Sequence, residues 1–251
     1  MSYYSIFFSP TGGTRKAAEA VAKGWGEEFE RVDLMKLSGK KEFRPGDLCL
    51  VAVPSYGGRV PTAAVERLEL LSGSGAMAVM IAVFGNRAID DTLTELSDVL
   101  KRVGFRPVAA MEAVAQHSQI PQFGEGRPDA EDRRELAEFA QKIHRAVEEN
   151  RLPVPLKIPG NRPYREYQGV PLKPKVGSSC IGCGLCAAQC PVGAIPKNDY
   201  HMTDTKKCIS CMHCVAVCPK HARKLNNLMV RTAQYSMKKA CAGRKPNRLY
   251  L

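Results

Sequence analysis

Eight of the ten cysteines fall into two copies of one spacing, and this doubled run constrains the chain more than any other feature. Each copy has the pattern C-x-x-C-x-x-C-x-x-x-C-P, and every cysteine of the first copy recurs 28 residues later. Three cysteines two residues apart can bend the backbone around one cube of iron and sulfide, and this spacing is the bacterial run for a pair of [4Fe-4S] clusters. The predicted ligands are Cys180, Cys183, Cys186, Cys190, Cys208, Cys211, Cys214 and Cys218.

Zinc sites and disulfides account for the cysteine run less well than clusters do. Structural zinc sites use four ligands, usually as two spaced pairs, and would leave the third cysteine of each run idle. Disulfide frameworks are typical of short secreted chains. We therefore expect clusters, and we expect the two histidines between the cysteines, His213 and His221, to be surface residues and not ligands.

Residues 175–225 resemble the two-[4Fe-4S] ferredoxins. In those proteins the fourth cysteine of each run ligates the other cluster. The sequence departs from the family pattern in one respect, because the first loop has Gly182 and Gly184 where the second has the bulkier Ser210 and Met212. The resemblance implies one cluster on Cys180, Cys183, Cys186 and Cys218, and another on Cys208, Cys211, Cys214 and Cys190.

The chain is too long to be a ferredoxin alone, and its charge is divided unevenly. Its 251 residues carry a net charge of +12. Residues 1–150 contain 19 Lys and Arg against 22 Asp and Glu, whereas residues 151–251 contain 18 against 3. A basic surface steers acidic partners, which favours an acidic redox carrier protein (a ferredoxin or flavodoxin) or a reductase. Lysines that only solvate the surface and offset cluster charge are an equally open alternative, and no nucleic-acid-binding fold accompanies the basic tail.

The chain shows no sign of a membrane span or of export. Its longest apolar run, Ala76 to Phe84, has the length of a strand. Met1 to Phe8 has no basic flank and no long apolar stretch, so we expect no export signal. Unexported thiolates suit a reducing compartment, and the predicted location is the cytoplasm.

Strand and helix patterns alternate through residues 1–150. Apolar runs separated by amphipathic segments predict an α/β domain, with a parallel sheet covered on both faces. The predicted strands are Tyr3–Phe8, Phe29–Asp33, Leu48–Val53, Ala76–Phe84 and Pro107–Ala115. The predicted helices are Arg15–Gly24, Thr62–Leu71, Asp90–Val103 and Ala130–Glu149.

The turn Ser9-Pro10-Thr11-Gly12-Gly13-Thr14 joins the first strand to the first helix. This arrangement gathers backbone N–H groups and hydroxyls around a phosphate without needing a lysine. The turn lacks the Gly-Lys-Ser/Thr of a Walker loop and the G-x-G-x-x-G of dinucleotide sites.

Three loops together resemble those of flavodoxins, which have a five-stranded sheet of order 2-1-3-4-5 and bind FMN at its switch point. The resemblance implies that Ser9, Thr11 and Thr14 hydroxyls and the Gly12 and Gly13 amides hold the FMN phosphate. It also implies that the loops after the third and fourth strands line the flavin ring, with Tyr56 as the stacking partner. The residues of these two loops are Pro54, Ser55, Tyr56, Gly57, Phe84, Gly85, Asn86 and Arg87.

The flavin loops also depart from the family pattern. After Gly85 there is no second aromatic residue, so one flavin face is expected to be open or covered by the ferredoxin half. Arg87 is placed either to stabilise reduced flavin or to pair with Asp90 or Asp91 on the surface. His117, after the fifth strand, lies at the cofactor edge and is either a flavin-side or substrate-side residue or a structural one.

Residues 151–178 contain six prolines, which predicts an extended, semi-rigid connection that fixes the ferredoxin unit against the first domain. Apolar residues at helical spacing over 226–240 predict an amphipathic helix, packed on the rest of the protein. The expected domains are thus 1–150, a linker 151–178, a ferredoxin domain 179–225, and a helix with a basic tail 226–251.

The whole chain resembles the flavodoxin-ferredoxin fusion proteins called EFR-type ferredoxins, found mainly in anaerobes. The resemblance implies electron transfer between FMN and two [4Fe-4S] clusters, which couples one-electron carriers to two-electron flavin chemistry. The alternative is an FMN-dependent reductase that passes electrons to a small organic acceptor. The sequence shows no clear acid–base pair that would identify catalytic residues.

Overall fold

The computed structural model describes residues 1–251. Its first 150 residues alternate strands and helices, because apolar runs there are separated by segments with one apolar face. In chain order these elements are β1 (Tyr3–Phe7), α1 (Gly13–Trp25), β2 (Glu30–Asp33), β3 (Lys41–Glu42), β4 (Leu48–Pro54), α2 (Thr62–Leu68), β5 (Leu71–Ser72), β6 (Met77–Phe84), α3 (Thr92–Arg102), β7 (Arg106–Val114) and α4 (Ala130–Glu148).

The remaining elements are short, apart from one helix. They are β8 (Lys175–Val176), α5 (Leu185–Ala188), α6 (His213–Ala216), β9 (Arg223–Lys224), α7 (Asn227–Met237) and β10 (Arg248–Tyr250). Strands β8 and β9 form an antiparallel pair, and α5 and α6 lie 28 residues apart, at the offset of the cysteine repeat. No helix combines the length and the hydropathy that crossing a bilayer requires.

The main sheet has six strands in the order β10-β7-β6-β4-β1-β2, one strand more than predicted. The five strands from residues 1–150 are parallel, and β10 adds to the edge in the antiparallel sense. Residues of β6 alternate between two cores, with Met80 in one and Val79 in the other. Helices α2 and α3 cover the first core and α1 and α4 the second, which explains why all eight residues of β6 are buried.

Two predicted helices of the first 150 residues are each three residues shorter in the structure. The helix predicted to reach Leu71 ends at Leu68, because Leu71 begins β5, which pairs with β3 in a small parallel sheet that the sequence did not indicate. The helix predicted from Asp90 begins at Thr92, because Asp90 has a left-handed backbone (φ 42°) and Asp91 occupies the N-cap position.

The C-terminal tail folds back onto the first domain. Arg127 and Asp132 form a buried ion pair, and the Asn247 side chain donates to Asp132 Oδ1 at 3.0 Å. Asn247 also accepts the backbone N–H of Val114 at 2.8 Å, which holds β10 beside β7. Arg244, in the basic tail, pairs within the chain with Asp129, Glu131 and Asp132.

The proline-rich connection is fastened to α3 by carboxylates. Asp91 accepts the backbone N–H groups of Asn161 (2.8 Å) and Arg165 (2.7 Å). Asp98 accepts two N–H groups of Arg162 and the hydroxyl of Tyr164. These donors hold the pKa of Asp98 below its ordinary value despite its partial burial. The connection therefore lies against the first domain as a fixed strap.

Candidate functional site

A cavity of about 820 Å³ lies at the carboxyl ends of the parallel strands. Of the thirteen residues that the flavodoxin resemblance selected, ten line it: Thr11, Gly13, Thr14, Pro54, Ser55, Tyr56, Gly57, Phe84, Gly85 and Arg87. Ser9, Gly12 and Asn86 lie outside its wall. Asn86 instead holds the tail, since its side-chain amide donates at 2.8 Å to the carbonyl oxygens of Cys241 and Gly243.

The loop between β1 and α1 forms one end of the cavity. Gly12 is the N-cap residue and has a left-handed conformation (φ 89°), and no N-cap side chain satisfies the first N–H groups of α1. Ser9 Oγ accepts the backbone N–H of Arg15 at 2.9 Å, and this hydrogen bond joins the two ends of the loop. A Cβ atom on Gly13 would lie 3.2 Å from that of Ala115, so glycine allows the loop to pack on the end of β7.

The loop after β4 forms the floor of the cavity. Burial raises the pKa of Tyr56 well above its ordinary value, with smaller contributions from Cys211 and Tyr167. The Tyr56 hydroxyl therefore lies close to a cysteine of the second repeat. The Ser55 hydroxyl is engaged within the protein, since it accepts a 2.8 Å hydrogen bond from Thr92 Oγ1.

The His117 ring lines the cavity and is held in one orientation by hydrogen bonds. Its Nδ1 atom accepts the backbone N–H groups of Gln119 and Ile120, each at 3.2 Å. Burial, helped by the positive charge of Arg87, lowers the pKa of His117 to about 4. A neutral ring whose Nδ1 accepts carries its proton on Nε2, so His117 is a hydrogen-bond donor at neutral pH.

Arg87 lines the cavity and pairs with Asp90. Arg165, from the connection, also lines the cavity and pairs with the same carboxylate. Two guanidinium groups thus share one acidic partner, and no other charged residue lines the cavity. The charged part of the cavity wall therefore carries a net positive charge.

The far side of the cavity comes from parts of the chain that sequence reasoning did not connect with it. Tyr167 of the connection lies directly over Gly57, where a Cβ atom would be 2.2 Å from the tyrosine ring. The apolar spacing in the sequence indicated α7 but not what its apolar face contacts. The α7 residues that line the cavity are Leu228, Met229, Thr232, Ala233, Ser236 and Met237.

The cysteines of the two repeats are brought together in the crossed sets. A small cavity is lined by Cys180, Cys183, Cys186 and Cys218, together with Tyr200 and Arg223. In the other set, burial raises the pKa of Cys211 to about 12, and the neighbouring thiols that add to the rise are Cys214, Cys190 and Cys208. The thiols are thus grouped at two positions, one for each set. No three His, Cys, Asp or Glu side chains converge at one point, as they would around a single metal ion.

The 28-residue repeat is also visible in the backbone around each set. The N–H of Ala194 donates to Cys190 Sγ at 3.3 Å, and the N–H of Ala222 donates to Cys218 Sγ at 3.2 Å. Left-handed residues recur at the same offset, pairing Gly182, Gly184 and Gly193 with Ser210, Met212 and His221. The second copy thus keeps the loop geometry with side chains that ordinarily avoid it.

The polar groups inside this region fit anionic iron–sulfur clusters. The Ser210 hydroxyl and Arg223 Nε are buried and have no hydrogen-bond partner within the protein. Sulfides and thiolates of a cluster would accept from both. Eight thiolate donors at this spacing are the ligand set that [4Fe-4S] clusters require.

The second cysteine loop contacts the loops of the large cavity. His213 Nδ1 donates to the carbonyl oxygen of Pro10 at 2.7 Å, and Gln119 Nε2 donates to the carbonyl oxygen of Ser210 at 3.0 Å. We expected His213 to be a surface residue, but it is half-buried in this interface. The large cavity and the second cysteine set are therefore neighbours.

Residues 179–222 match the family model described as a 4Fe-4S dicluster domain, which supports the binding of 4Fe-4S clusters in the C-terminal region. No curated protein matches the chain.

Solved structures that are similar to part of the chain include an oxidoreductase and two flavodoxins. The rubredoxin oxygen:oxidoreductase of the anaerobe Desulfovibrio gigas is 16% identical over 59% of this chain, with a TM-score of 0.41, and the chain covers 36% of its length. A flavodoxin of Streptococcus pneumonia TIGR4 is 18% identical and a flavodoxin from the domain Archaea is 12% identical. Each aligns with 59% of this chain and 99% of its own, with TM-scores of 0.42.

Proposed function

We propose that the protein transfers electrons between FMN, bound in the large cavity, and two [4Fe-4S] clusters held by the crossed cysteine sets. In this proposal the chain is a flavodoxin-like domain fused to a two-cluster ferredoxin domain, of the EFR type. FMN exchanges one or two electrons and clusters exchange one at a time, so the pair couples one-electron carriers to two-electron chemistry.

The contact between the second cysteine loop and the cavity carries this proposal. The hydrogen bonds from His213 to Pro10 and from Gln119 to Ser210 fix the loop against the cavity rim. Tyr56 spans the same boundary, since it lines the cavity and lies close to Cys211. A cluster on Cys211 would thus lie beside the flavin at a distance that the fold fixes.

The first cysteine set faces outward. Cys183 is exposed, and the neighbouring Ile181 side chain is 62% exposed, whereas Cys211 is only 8% exposed. The proposed order is therefore an outer cluster on Cys180, Cys183, Cys186 and Cys218, an inner cluster on the other four cysteines, and then FMN. An external acidic carrier in the cytoplasm would exchange electrons at the outer cluster.

The residues of the cavity have distinct proposed roles toward FMN. The N–H groups at the start of α1, with the Thr11 and Thr14 hydroxyls, would bind the phosphate. Tyr56 and Tyr167 would contact the ring, which gives a physical reason for the missing second aromatic in the loop after β6. Arg87 and Arg165 would favour the negative charge of reduced flavin.

Anaerobic purification followed by iron, sulfide and flavin analysis tests this function. We expect about eight iron atoms and one FMN per chain. A redox titration that follows flavin absorbance and cluster EPR signals separately should resolve all three centres. Zinc in place of iron, or a protein that does not bind FMN, would contradict the proposal.

The second candidate function is an FMN-dependent reductase of a small organic acceptor. Helix α7 favours it, because hydroxyl and apolar side chains of this helix line the cavity together with the flavin loops. Such an enzyme should turn over nitro, quinone or enone compounds when reduced anaerobically. Leu228→Trp should then slow turnover while leaving iron and flavin content unchanged, and an absence of turnover across such a panel would count against this activity.

A further inference from the structure

Arg223 carries a charge that no other part of the protein neutralises. The residue is 2% exposed, and it ranks first in volume among the fully buried side chains. Its guanidinium donates to Thr203 Oγ1 at 2.6 Å and to the carbonyl oxygens of Tyr200 and Met202, all of them neutral groups. Its Nε has no partner, and none of the chain's ion pairs includes it.

The repeat shows that an arginine is not needed here for packing. The residue 28 positions earlier is Ile195, which is equally buried at 3% exposed. The first copy therefore fills the same place with an apolar side chain. Burying a cation without a carboxylate partner destabilises a folded protein by several kcal/mol. If this position only had to be filled by a large side chain, isoleucine in both copies of the repeat would give a more stable fold.

Arg223 lies beside the first cysteine set. Its side chain lines the small cavity together with Cys180, Cys183, Cys186 and Cys218. The guanidinium is therefore next to the position proposed for the outer cluster.

We infer that Arg223 raises the reduction potential of the outer cluster by placing a permanent positive charge beside it. This inference rests on the proposed function. An oxidised cube with four thiolates is formally dianionic, and accepting one electron from an external reductant adds one negative charge. A nearby cation in a low-dielectric site favours the more negative form, and burial protects this attraction from salt screening.

Redox titration of the holoprotein with dithionite, followed by EPR, tests the inference with a set of matched variants. Arg223→Met removes the charge at similar length, Arg223→Ile restores the residue of the first repeat, and Arg223→Lys keeps the charge. Lys224→Ile removes the charge of the adjacent, exposed residue. We expect the potential of the outer cluster to become more negative in the Met and Ile variants, to stay near wild type in the Lys variant, and to move little in Lys224→Ile.

The outcomes separate this inference from the function it rests on. Failure of the neutral variants to hold iron while Arg223→Lys retains it would also support charge compensation. Unchanged potentials in fully loaded neutral variants would overturn the inference alone, as would equal iron loss in all three Arg223 variants, since the hydrogen bonds to residues 200–203 would then be what matters. Wild-type protein without clusters would instead overturn the proposed function.

Discussion

The imidazole Nδ1 of His213 donates to the carbonyl oxygen of Pro10 at 2.7 Å. One residue belongs to the second cysteine loop and the other to the loop that begins α1, so this hydrogen bond, like the one from Gln119 to Ser210, joins the two candidate sites. Its net contribution is about 1 kcal/mol, enough to order an interface without deciding whether the protein folds.

His213→Ala should slow electron transfer between the inner cluster and flavin while leaving iron and flavin content unchanged. Loss of the hydrogen bond loosens the contact that fixes their separation. Flash photolysis of the holoprotein measures this internal step, and His201→Ala removes an exposed imidazole as the control. An unchanged internal rate in His213→Ala would show that the contact does not set the distance.

Gly57→Ala should lower the amount of flavin that copurifies with the protein. The added methyl group would lie 2.2 Å from the Tyr167 ring, and Gly57 has a left-handed backbone (φ 59°). The tyrosine must move away from the cavity wall, and the alanine adds about 1 kcal/mol of backbone strain.

Gly39→Ala is the matched control, because a Cβ atom there meets nothing within 4 Å. Flavin absorbance per chain, measured on both proteins prepared in parallel, provides the comparison. Equal flavin content in the two variants would show that Tyr167 does not contribute to flavin binding.

The local pattern of the sequence predicted the parallel strands and their loops closely, because each depends on neighbours in the chain. Strand β6, for example, begins at Met77 where Ala76 was predicted. The spacing predicted that the first three cysteines of each run lie together, whereas the exchange of the fourth cysteine between the sets was implied by the resemblance to two-cluster ferredoxins. Ten of the thirteen selected flavin-loop residues line the cavity, because they follow strand ends that meet at one edge of the sheet.

Long-range contacts were not predictable in this way. The position of β10 depends on Asn247 reaching both Asp132 and Val114, contacts that span more than 100 residues. Tyr167 looked like part of a linker because nothing in a proline-rich segment indicates which loop it will cover. The local sequence did not single out Arg223, although its repeat partner Ile195 was a signal that could have located it.

Asp132→Asn should lower the free energy of unfolding by about 3 kcal/mol. Asp132 is almost fully buried, and it pairs with Arg127, whose side chain is 5% exposed. Removing the carboxylate leaves a buried guanidinium without its main partner and weakens the hold on Asn247, which anchors the tail.

Thermal unfolding followed by circular dichroism measures this loss. Glu138→Gln removes a carboxylate from an exposed pair with Arg134, a kind of pair that contributes at most about 1 kcal/mol. Equal midpoints for the two variants would mean that the Arg127–Asp132 pair does not hold the tail to the domain.

The lowered pKa of His117 should make the folded protein less stable as the pH falls below neutral. Its pKa is about 4 in the folded chain, below the ordinary value of 6.5. As pH falls below 6.5 the unfolded chain gains a proton that the folded chain does not, so stability is lost until about pH 4, by about 1.4 kcal/mol per pH unit.

His117→Asn cannot take up that proton and keeps an acceptor for the N–H groups of Gln119 and Ile120. Wild type should therefore lose about 1 kcal/mol more than this variant between pH 7.5 and 5.5 in parallel denaturant titrations, with the exposed His201→Asn as control. Parallel pH profiles for wild type and His117→Asn would show that the ring is not held neutral in the folded protein.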